Sequence, residues 1–100
     1  MANTFTVLFR GAASTDSTTL YTVPADTKAL VTSFVVTNTT DQFLTYTITM
    51  NGVEVAKEAV VDANDSIVIE FKQLLDAGQV LAASAESTDV NFSVTGLEIT

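Results

Sequence analysis

The groups in this sequence that are capable of chemistry are carboxylates. The chain has 12 Asp and Glu but neither His nor Cys, so no Ser-His-Asp or Cys-His nucleophile can be assembled, and thiolate metal ligands are lacking. Its four glycines lie far apart in the sequence, which excludes a glycine-rich phosphate loop. Any catalysis or metal binding would therefore depend on Asp and Glu.

Two groups of carboxylates are spaced closely enough to act together. Asp62, Asn64 and Asp65 offer oxygen ligands of the kind that calcium binds, but the segment lacks the central glycine and distal glutamate of an EF-hand. Such a cluster more often forms a turn whose side chains bond the local backbone. Glu54 and Glu58 share one face of an unbulged strand, as either an acid–base pair or a solvated face. No second catalytic residue type accompanies them, so we predict no enzyme activity, metal or cofactor.

Charge restricts the partners of the chain. The net charge is −8, and the cations are only Arg10, Lys28, Lys57 and Lys72. Nucleic-acid binders commonly neutralise about six to ten phosphates, so we predict no nucleic-acid binding, and for the same reason no anionic membrane surface. No apolar run approaches the ~20 residues needed to span a bilayer. The opening Met1–Thr4 lacks the basic start and apolar core of a signal peptide, which predicts a soluble protein made in a cytoplasm.

Alternating apolar and polar residues predict about eight short strands and no convincing helix. The strongest local signal is Asn51-Gly52 between two alternating segments, which predicts a two-residue type I′ hairpin. Short strands at nearly regular spacing predict an all-β fold, either a two-sheet sandwich or a jelly roll, as one domain over residues 1–100. The predicted strands are 4–10, 20–23, 29–37, 43–50, 53–61, 66–71, 79–85 and 90–100.

Three segments depart from simple alternation. Phe34–Val36 breaks the pattern of a very apolar strand, which predicts a central strand covered on both sides or a bulge. Residues 73–78 fit either one helical turn or an irregular crossing. The phase of the last strand slips at Gly96, so a bulge there would let Leu97 and Ile99 continue the apolar face.

Aromatic and apolar residues near the start of the chain are the first candidates for protein contacts. Phe5, Val7 and Phe9 are predicted to lie on one face of the first strand, where Phe5 and Phe9 are expected to be core residues and not a ligand-stacking platform. Residues 1–19 would serve as an N-terminal interaction arm and loop. The excess of β-prone residues suggests strand addition to a partner. Phe43 is out of phase with the strand that follows it, so it is either an exposed contact residue or a cap on the end of the sandwich.

Threonines supply the second candidate surface. Thr45, Thr47 and Thr49 alternate with apolar residues and form an uncharged outer face. Exposure alone accounts for threonine at such positions, but a flat, β-prone face or edge also pairs readily with another chain. Lysine, which normally blunts such surfaces, is scarce in this sequence, so both interpretations stand.

One long segment resembles a known family. Leu20–Val31 reads LYTVPADTKALV and resembles the recurrent YTVPAGT-x-A-x-V opening of small tailed-phage virion proteins. Asp26 stands where that pattern has glycine, which affects the turn type but not the fold. The resemblance covers 20–100, excludes the N-terminal strand, and continues through Val36–Thr40, Val53–Ala56 and Leu74–Ser84.

This resemblance implies a virion accessory protein: a capsid decoration (cement) protein, a head-fibre base, or a tail or baseplate module. A compact chain without fibre repeats or a coiled coil favours a homotrimeric cement protein on the outer surface of the major capsid shell. The alternative is a tail-fibre or baseplate module that binds a host glycan or another tail protein. The sequence contains no tryptophan, which counts against sugar stacking. A carboxylate-dependent glycosidase ranks last because the sequence offers no catalytic trio.

Overall fold

The computed structural model describes residues 3–100, and this part of the chain is all-β, as the sequence predicts. It forms two four-stranded antiparallel sheets and no helix, and therefore no helix that could cross a membrane. The strands are β1 (Asn3–Ala12), β2 (Thr18–Thr22), β3 (Lys28–Asn38), β4 (Leu44–Met50), β5 (Val53–Val61), β6 (Ser66–Leu75), β7 (Val80–Ala85) and β8 (Val90–Ile99).

The strand order is that of a jelly roll. The first sheet has the order β1-β8-β3-β6 and the second sheet has the order β2-β7-β4-β5. The pairs β1–β8, β2–β7, β3–β6 and β4–β5 show that the chain folds as one long antiparallel hairpin wound into two sheets. The predicted sandwich or jelly-roll architecture is confirmed.

Apolar residues from the facing sides of both sheets fill the core. The Phe34 ring packs edge-on against Phe92 at a centroid distance of 5.1 Å and against Phe71 at 6.3 Å. Ile48 and Leu81 from the second sheet are fully buried opposite them. Alternation along the strands places these residues inward, which explains why the period-2 pattern predicts the core correctly.

Two turns require a left-handed backbone. Asn51 and Gly52 have φ values of 50° and 80°, which confirms the predicted type I′ hairpin between β4 and β5. Asp26 has a φ of 58° in the turn between β2 and β3. Glycine suits this conformation best and Asp tolerates it better than most residues, so Asp26 is compatible with the turn.

The strand bulges lie at positions other than those that the sequence predicts. Alternation in β8 continues unbroken through the buried Gly96, so Leu97 points outward and does not continue the inner face. The register instead shifts in the neighbouring strands, at Leu8 of β1 and Thr32 of β3. Phe34–Val36 alternates regularly, two residues after the β3 bulge. The helical turn considered for residues 73–78 is wrong, because β6 extends to Leu75 and a tight turn follows.

Candidate functional site

A row of four large apolar side chains crosses the outer face of the first sheet. Phe5 lies opposite Leu97, Leu97 opposite Leu30, and Leu30 opposite Leu74. Residues that are directly opposite in an antiparallel sheet point to the same face, so this apolar row spans all four strands. Its two ends are the most open, with Phe5 76% exposed and Leu74 53% exposed.

Further apolar residues lie on the same face as the apolar row, although the pair Ser33 and Glu70 separates Val35 and Val68 from it. Val35 and Val68 are opposite each other on the same outer face, and Val7 follows Phe5 on β1. The outer face of an antiparallel sheet is normally polar, and a contiguous apolar patch on a folded chain commonly marks a contact with another molecule. The first sheet therefore presents a surface that its own chain leaves uncovered.

The outer face of the first sheet carries charges of both signs, because the exposed Glu70 lies on it opposite Ser33. Of the four cations in the sequence, three belong to strands of the first sheet: Arg10, Lys28 and Lys72. Arg10 Nε donates to Ser93 Oγ at 3.1 Å, and Lys28 Nζ lies 3.6 Å from Asp76 Oδ1. Lys72, on β6 near Leu74, belongs to neither of the two ion pairs within 4.0 Å in the described chain.

The bulge at Leu8 decides which residues of β1 join this face. Phe5 and Val7 point outward, contrary to the expected core position of Phe5, and the register shift turns Phe9 inward, where it packs against the core. The prediction that all three share one face is therefore wrong. Residues 3–12 form an edge strand and not a separate arm, and Met1 and Ala2, also included in the predicted arm, lie outside the described residues.

Sequence reasoning missed most of the apolar row. Leu30, Leu74 and Leu97 each occur next to residues that are buried inward: Ala29, Leu75 and Gly96. The available signal was the alternation itself, because a large apolar residue between two inward positions must point outward. For Leu97, the bulge expected at Gly96 led to the opposite prediction, an inward side chain.

Exposed valines also lie on both faces of β5, an edge strand of the second sheet, because Val53 is opposite the buried Met50 and Val60 is opposite the outward Thr45. Val53 is 65% exposed, Val60 is 50% exposed, and Val55 is exposed between them. The register against β4 shifts on both sides of Ala56, and Glu58 has a positive φ of 48°. Such bulges disrupt the ladder and oppose strand addition at this edge.

Glu54 and Glu58 do not form the regular pair that an unbulged strand would give. Both β5 bulges fall between residues 54 and 59, so the two carboxylates are not related by simple alternation. Glu54 Oε1 lies 4.0 Å from Lys57 Nζ, and the Glu58 backbone N–H donates to Thr47 Oγ1 at 3.1 Å. Both glutamates are exposed, as expected for a solvated edge.

Phe43 is 66% exposed and stands on an ordered loop. The buried Asn38 amide Nδ2 donates to the carbonyl oxygens of Gln42 at 2.7 Å and Val61 at 3.2 Å. Asn38 Oδ1 accepts from the Thr40 backbone N–H at 2.9 Å and from its hydroxyl at 2.8 Å. These four bonds fix the loop between β3 and β4, so Phe43 does not fold back as a cap on the sandwich.

The loops around Phe43 form an acidic end of the sandwich. Backbone hydrogen bonds join 38–40 to 64–65 and 89, and join 13–14 to 85 and 90, so four loops meet there. Segment 62–65 is a turn in this group, as its sequence predicts. Within the described chain the four loops contain no Lys or Arg, and their carboxylates are Asp16, Asp41, Asp62, Asp65, Glu86 and Asp89.

The threonine candidates lie in the interior of the second sheet. β4 is flanked by β7 and β5, so it has no free edge for another strand. The Thr45 hydroxyl donates to Glu86 Oε1 at 3.1 Å, and the Thr49 hydroxyl donates to the Ala82 carbonyl at 3.5 Å. The Thr47 hydroxyl accepts the Glu58 N–H described above. All three side chains are half-buried and hydrogen-bonded within this chain. They can therefore contact a partner only through the outer face of the sheet and not by strand pairing.

The opposite end of the sandwich holds an open groove of about 410 Å³. Nearby, the Tyr21 hydroxyl donates to Glu98 Oε2 at 2.5 Å and links the two sheets. Burial, followed by the hydrogen bond and the charge of Glu98, raises the pKa of Tyr21 far above its ordinary value. Tyr21 therefore stays protonated as a structural donor. The groove is lined by Asp26, Thr27, Lys28, Asp76, Ala77, Ile99 and Thr100.

The described residues offer exposed apolar side chains on the first sheet, on β5 and at Phe43. Residues 3–100 contain no group of three potential metal ligands, and every buried side-chain nitrogen and oxygen among them has a hydrogen-bond partner. The exposed apolar row, the β5 valines and Phe43 are suited to binding other protein surfaces. Comparisons with protein-family models, curated proteins and solved structures find no match for this chain.

Proposed function

We propose that this protein is a structural component of a tailed-phage virion: a homotrimeric capsid decoration protein that binds the outer surface of the major capsid shell. The observation that carries the proposal is the apolar row, which the folded chain leaves exposed on the first sheet. An exposed surface of this kind becomes stable when another protein subunit covers it.

The apolar row is the surface assigned to contacts between copies of the chain. Permanent homo-oligomer interfaces are more apolar than transient ones and resemble a domain core. The apolar row and the neighbouring Val7 fit that description. Closed symmetry is the usual result of self-association, and the trimer is the state that the sequence resemblance implies.

Phe43 and the acidic end are assigned to the shell. A single aromatic anchor surrounded by polar groups is a common centre of binding energy at a protein interface, and the Asn38 bonds hold the loop that presents it. The surrounding carboxylates fit a shell surface that offers an apolar pocket bordered by Lys and Arg. Three copies would engage three such pockets at once and multiply a weak single contact.

Two further features agree with this role. The segment 20–100 resembles small tailed-phage virion proteins in sequence, which supports the virion and the shell as partners. The net charge of −8 gives no reason to bind the packaged genome. The jelly-roll fold is compatible with this role but does not argue for it, because one fold serves many functions.

The test combines solution mass with sedimentation on shells. We expect the purified protein to have three times the 10.6 kDa chain mass, and to co-sediment with empty shells of the phage whose genome encodes it. Phe43→Ser should abolish co-sedimentation and leave the trimer intact, whereas Phe43→Leu, which keeps apolar volume, should retain most of it. A monomer that ignores shells contradicts the proposal, and binding to a glycan or a tail protein instead supports the alternative role.

A further inference from the structure

We infer that two copies of the chain pair edge to edge along β6, antiparallel and about a two-fold axis that passes beside Phe71. β6 is an edge strand of the first sheet, and among residues 3–100 no strand lies on its far side. An edge strand of this kind can take up another strand, which would extend the four-stranded sheet across two copies. The contact goes beyond the proposed trimer, because it uses the edge of the sheet and not its face.

The exposed side chains of β6 are complementary to their own reversed order. They alternate along the outer face as Val68, Glu70, Lys72 and Leu74. Reversal of the strand about Phe71 places Lys72 opposite the second copy's Glu70, and it places Leu74 opposite the second copy's Val68. Both pairs occur twice, because a two-fold contact repeats every pairing in the opposite sense. Opposite charges and apolar residues that face each other in this way stabilise an antiparallel pair.

Glu70 and Lys72 are the only charged residues of β6, and the pairing uses both of them. Neither belongs to the two ion pairs within 4.0 Å in the described chain. At the two margins of the contact, Asp65 of one copy approaches Asp76 of the other. Lys28 Nζ lies 3.6 Å from Asp76 Oδ1 and offsets that charge, and Asp65 Oδ1 accepts the next backbone N–H at 2.8 Å. The balance of charge across the contact is therefore attractive.

The backbone of β6 suits strand addition better than those of the other long edge strands. Its register against β3 shifts once, and none of residues 66–75 has a positive φ. β5 shifts register on both sides of Ala56 and has a left-handed Glu58, which opposes a regular added strand. β1 carries a single charge, Arg10, so it can match at most one of the two charges on β6.

The contact is small, because it consists of one pair of strands. A single strand pair offers less surface than the roughly 1,600 Å² that a standard interface buries, so the pairing is weak in dilute solution. It forms where copies are concentrated. Trimers bound side by side on a shell would meet that condition, and the two-fold contact would link neighbouring trimers. This last step rests on the proposed function, whereas the pairing itself does not.

Charge reversal tests the match of Glu70 with Lys72. Glu70→Lys and Lys72→Glu each turn both attractive pairs of the contact into repulsive ones, so each should raise the dissociation constant of the pairing at least about tenfold. Sedimentation velocity over a series of high protein concentrations measures that constant. The double variant restores opposite charges and should recover most of the association.

Asp16→Lys is the control for charge reversal, because it makes the same change as Glu70→Lys on an exposed loop away from β6. It should leave the association unchanged. Circular dichroism checks that every variant is folded. Single variants that associate as well as the wild type, or a double variant that recovers nothing, overturn the pairing of these two residues.

Disulfide cross-linking tests the register, because the chain has no cysteine of its own. Val68→Cys in one copy lies opposite Leu74→Cys in the other, so a mixture of the two variants should form linked dimers on mild oxidation. Across the axis, each position lies about 20 Å from the same position of the second copy, so neither variant alone should cross-link. No linkage in the mixture, or equal linkage in the single variants, overturns the two-fold pairing.

These experiments separate the pairing from the proposed function. A trimer that binds shells but fails both tests disproves the pairing and leaves the proposed function intact. A chain that passes both tests but neither forms a trimer nor binds shells disproves the proposed function and leaves the pairing intact.

Discussion

The replacement of Asn38 by alanine gives the most direct test of the structure. Asn38 is buried, and its amide makes four hydrogen bonds to Gln42, Val61 and Thr40. Asn38→Ala removes all four bonds and leaves carbonyl oxygens without these donors in a buried site. At about 1 kcal/mol net for each hydrogen bond, we expect a loss of about 3–4 kcal/mol in the free energy of unfolding.

The expected loss is large compared with the stability of a small domain, which is about 5–15 kcal/mol. For a chain of this length it corresponds to a fall in Tm of roughly 12–30 °C. Urea unfolding followed by far-ultraviolet circular dichroism measures it as a lower midpoint with an unchanged slope. Because self-association adds to apparent stability, all variants are compared at one protein concentration.

Thr39→Ala is the matched control for Asn38→Ala. Thr39 is the next residue, is exposed, and donates one side-chain hydrogen bond to the Asp89 carbonyl at 2.8 Å. Its loss should cost at most about 1 kcal/mol. If Asn38→Ala costs no more than the control, the network does not hold the β3–β4 loop, and the account of how Phe43 is presented fails with it.

Three further predictions concern single positions. Gly96→Ala should cost about 1–3 kcal/mol in urea unfolding, because its Cβ would lie 2.5 Å from the Leu30 carbonyl oxygen; a neutral effect would contradict the close strand contact. Asp26→Gly should stabilise by up to about 1 kcal/mol, since φ is 58° there, whereas Asp26→Val should destabilise. The raised pKa of Tyr21 means that the folded state retains its proton, so the stability from this group is complete below about pH 10 and declines as pH rises further. Glu98→Gln should lower the pKa of Tyr21 in a phenolate absorbance titration, and an unchanged titration would refute the role of that carboxylate.

The candidate contact residues show what local sequence patterns can and cannot predict about exposure. Phe43 is exposed, which is one of the two alternatives that its out-of-phase position predicts, whereas Phe5, expected in the core, is exposed on the outer face together with Val7. Phe9 turned inward because a bulge at Leu8 changed the phase within one strand. A bulge is selected by packing against neighbouring strands, so the residues of β1 alone do not reveal its position.

The acidic end and the apolar row depend on contacts between distant segments. Phe5 meets Leu97 across the β1–β8 pair, and the row reaches Leu74 only through β3. Strand register between such segments depends on which faces are buried and on the bulges along the way. In the sequence these residues belong to separate segments, and their positions alone do not show that they share a face.

The amino-acid sequence by itself determined the all-β class, the approximate strands and the hairpin at Asn51-Gly52. These features follow from period-2 alternation and from turn residues that adopt positive φ, both of which are local properties of the chain. Tertiary structure alone decided the jelly-roll order, the bulges at Leu8 and Thr32, and the side of the sheet on which Leu97 lies. The physical reason is that pairing and phase across strands are settled by how both sheets bury their inner faces together.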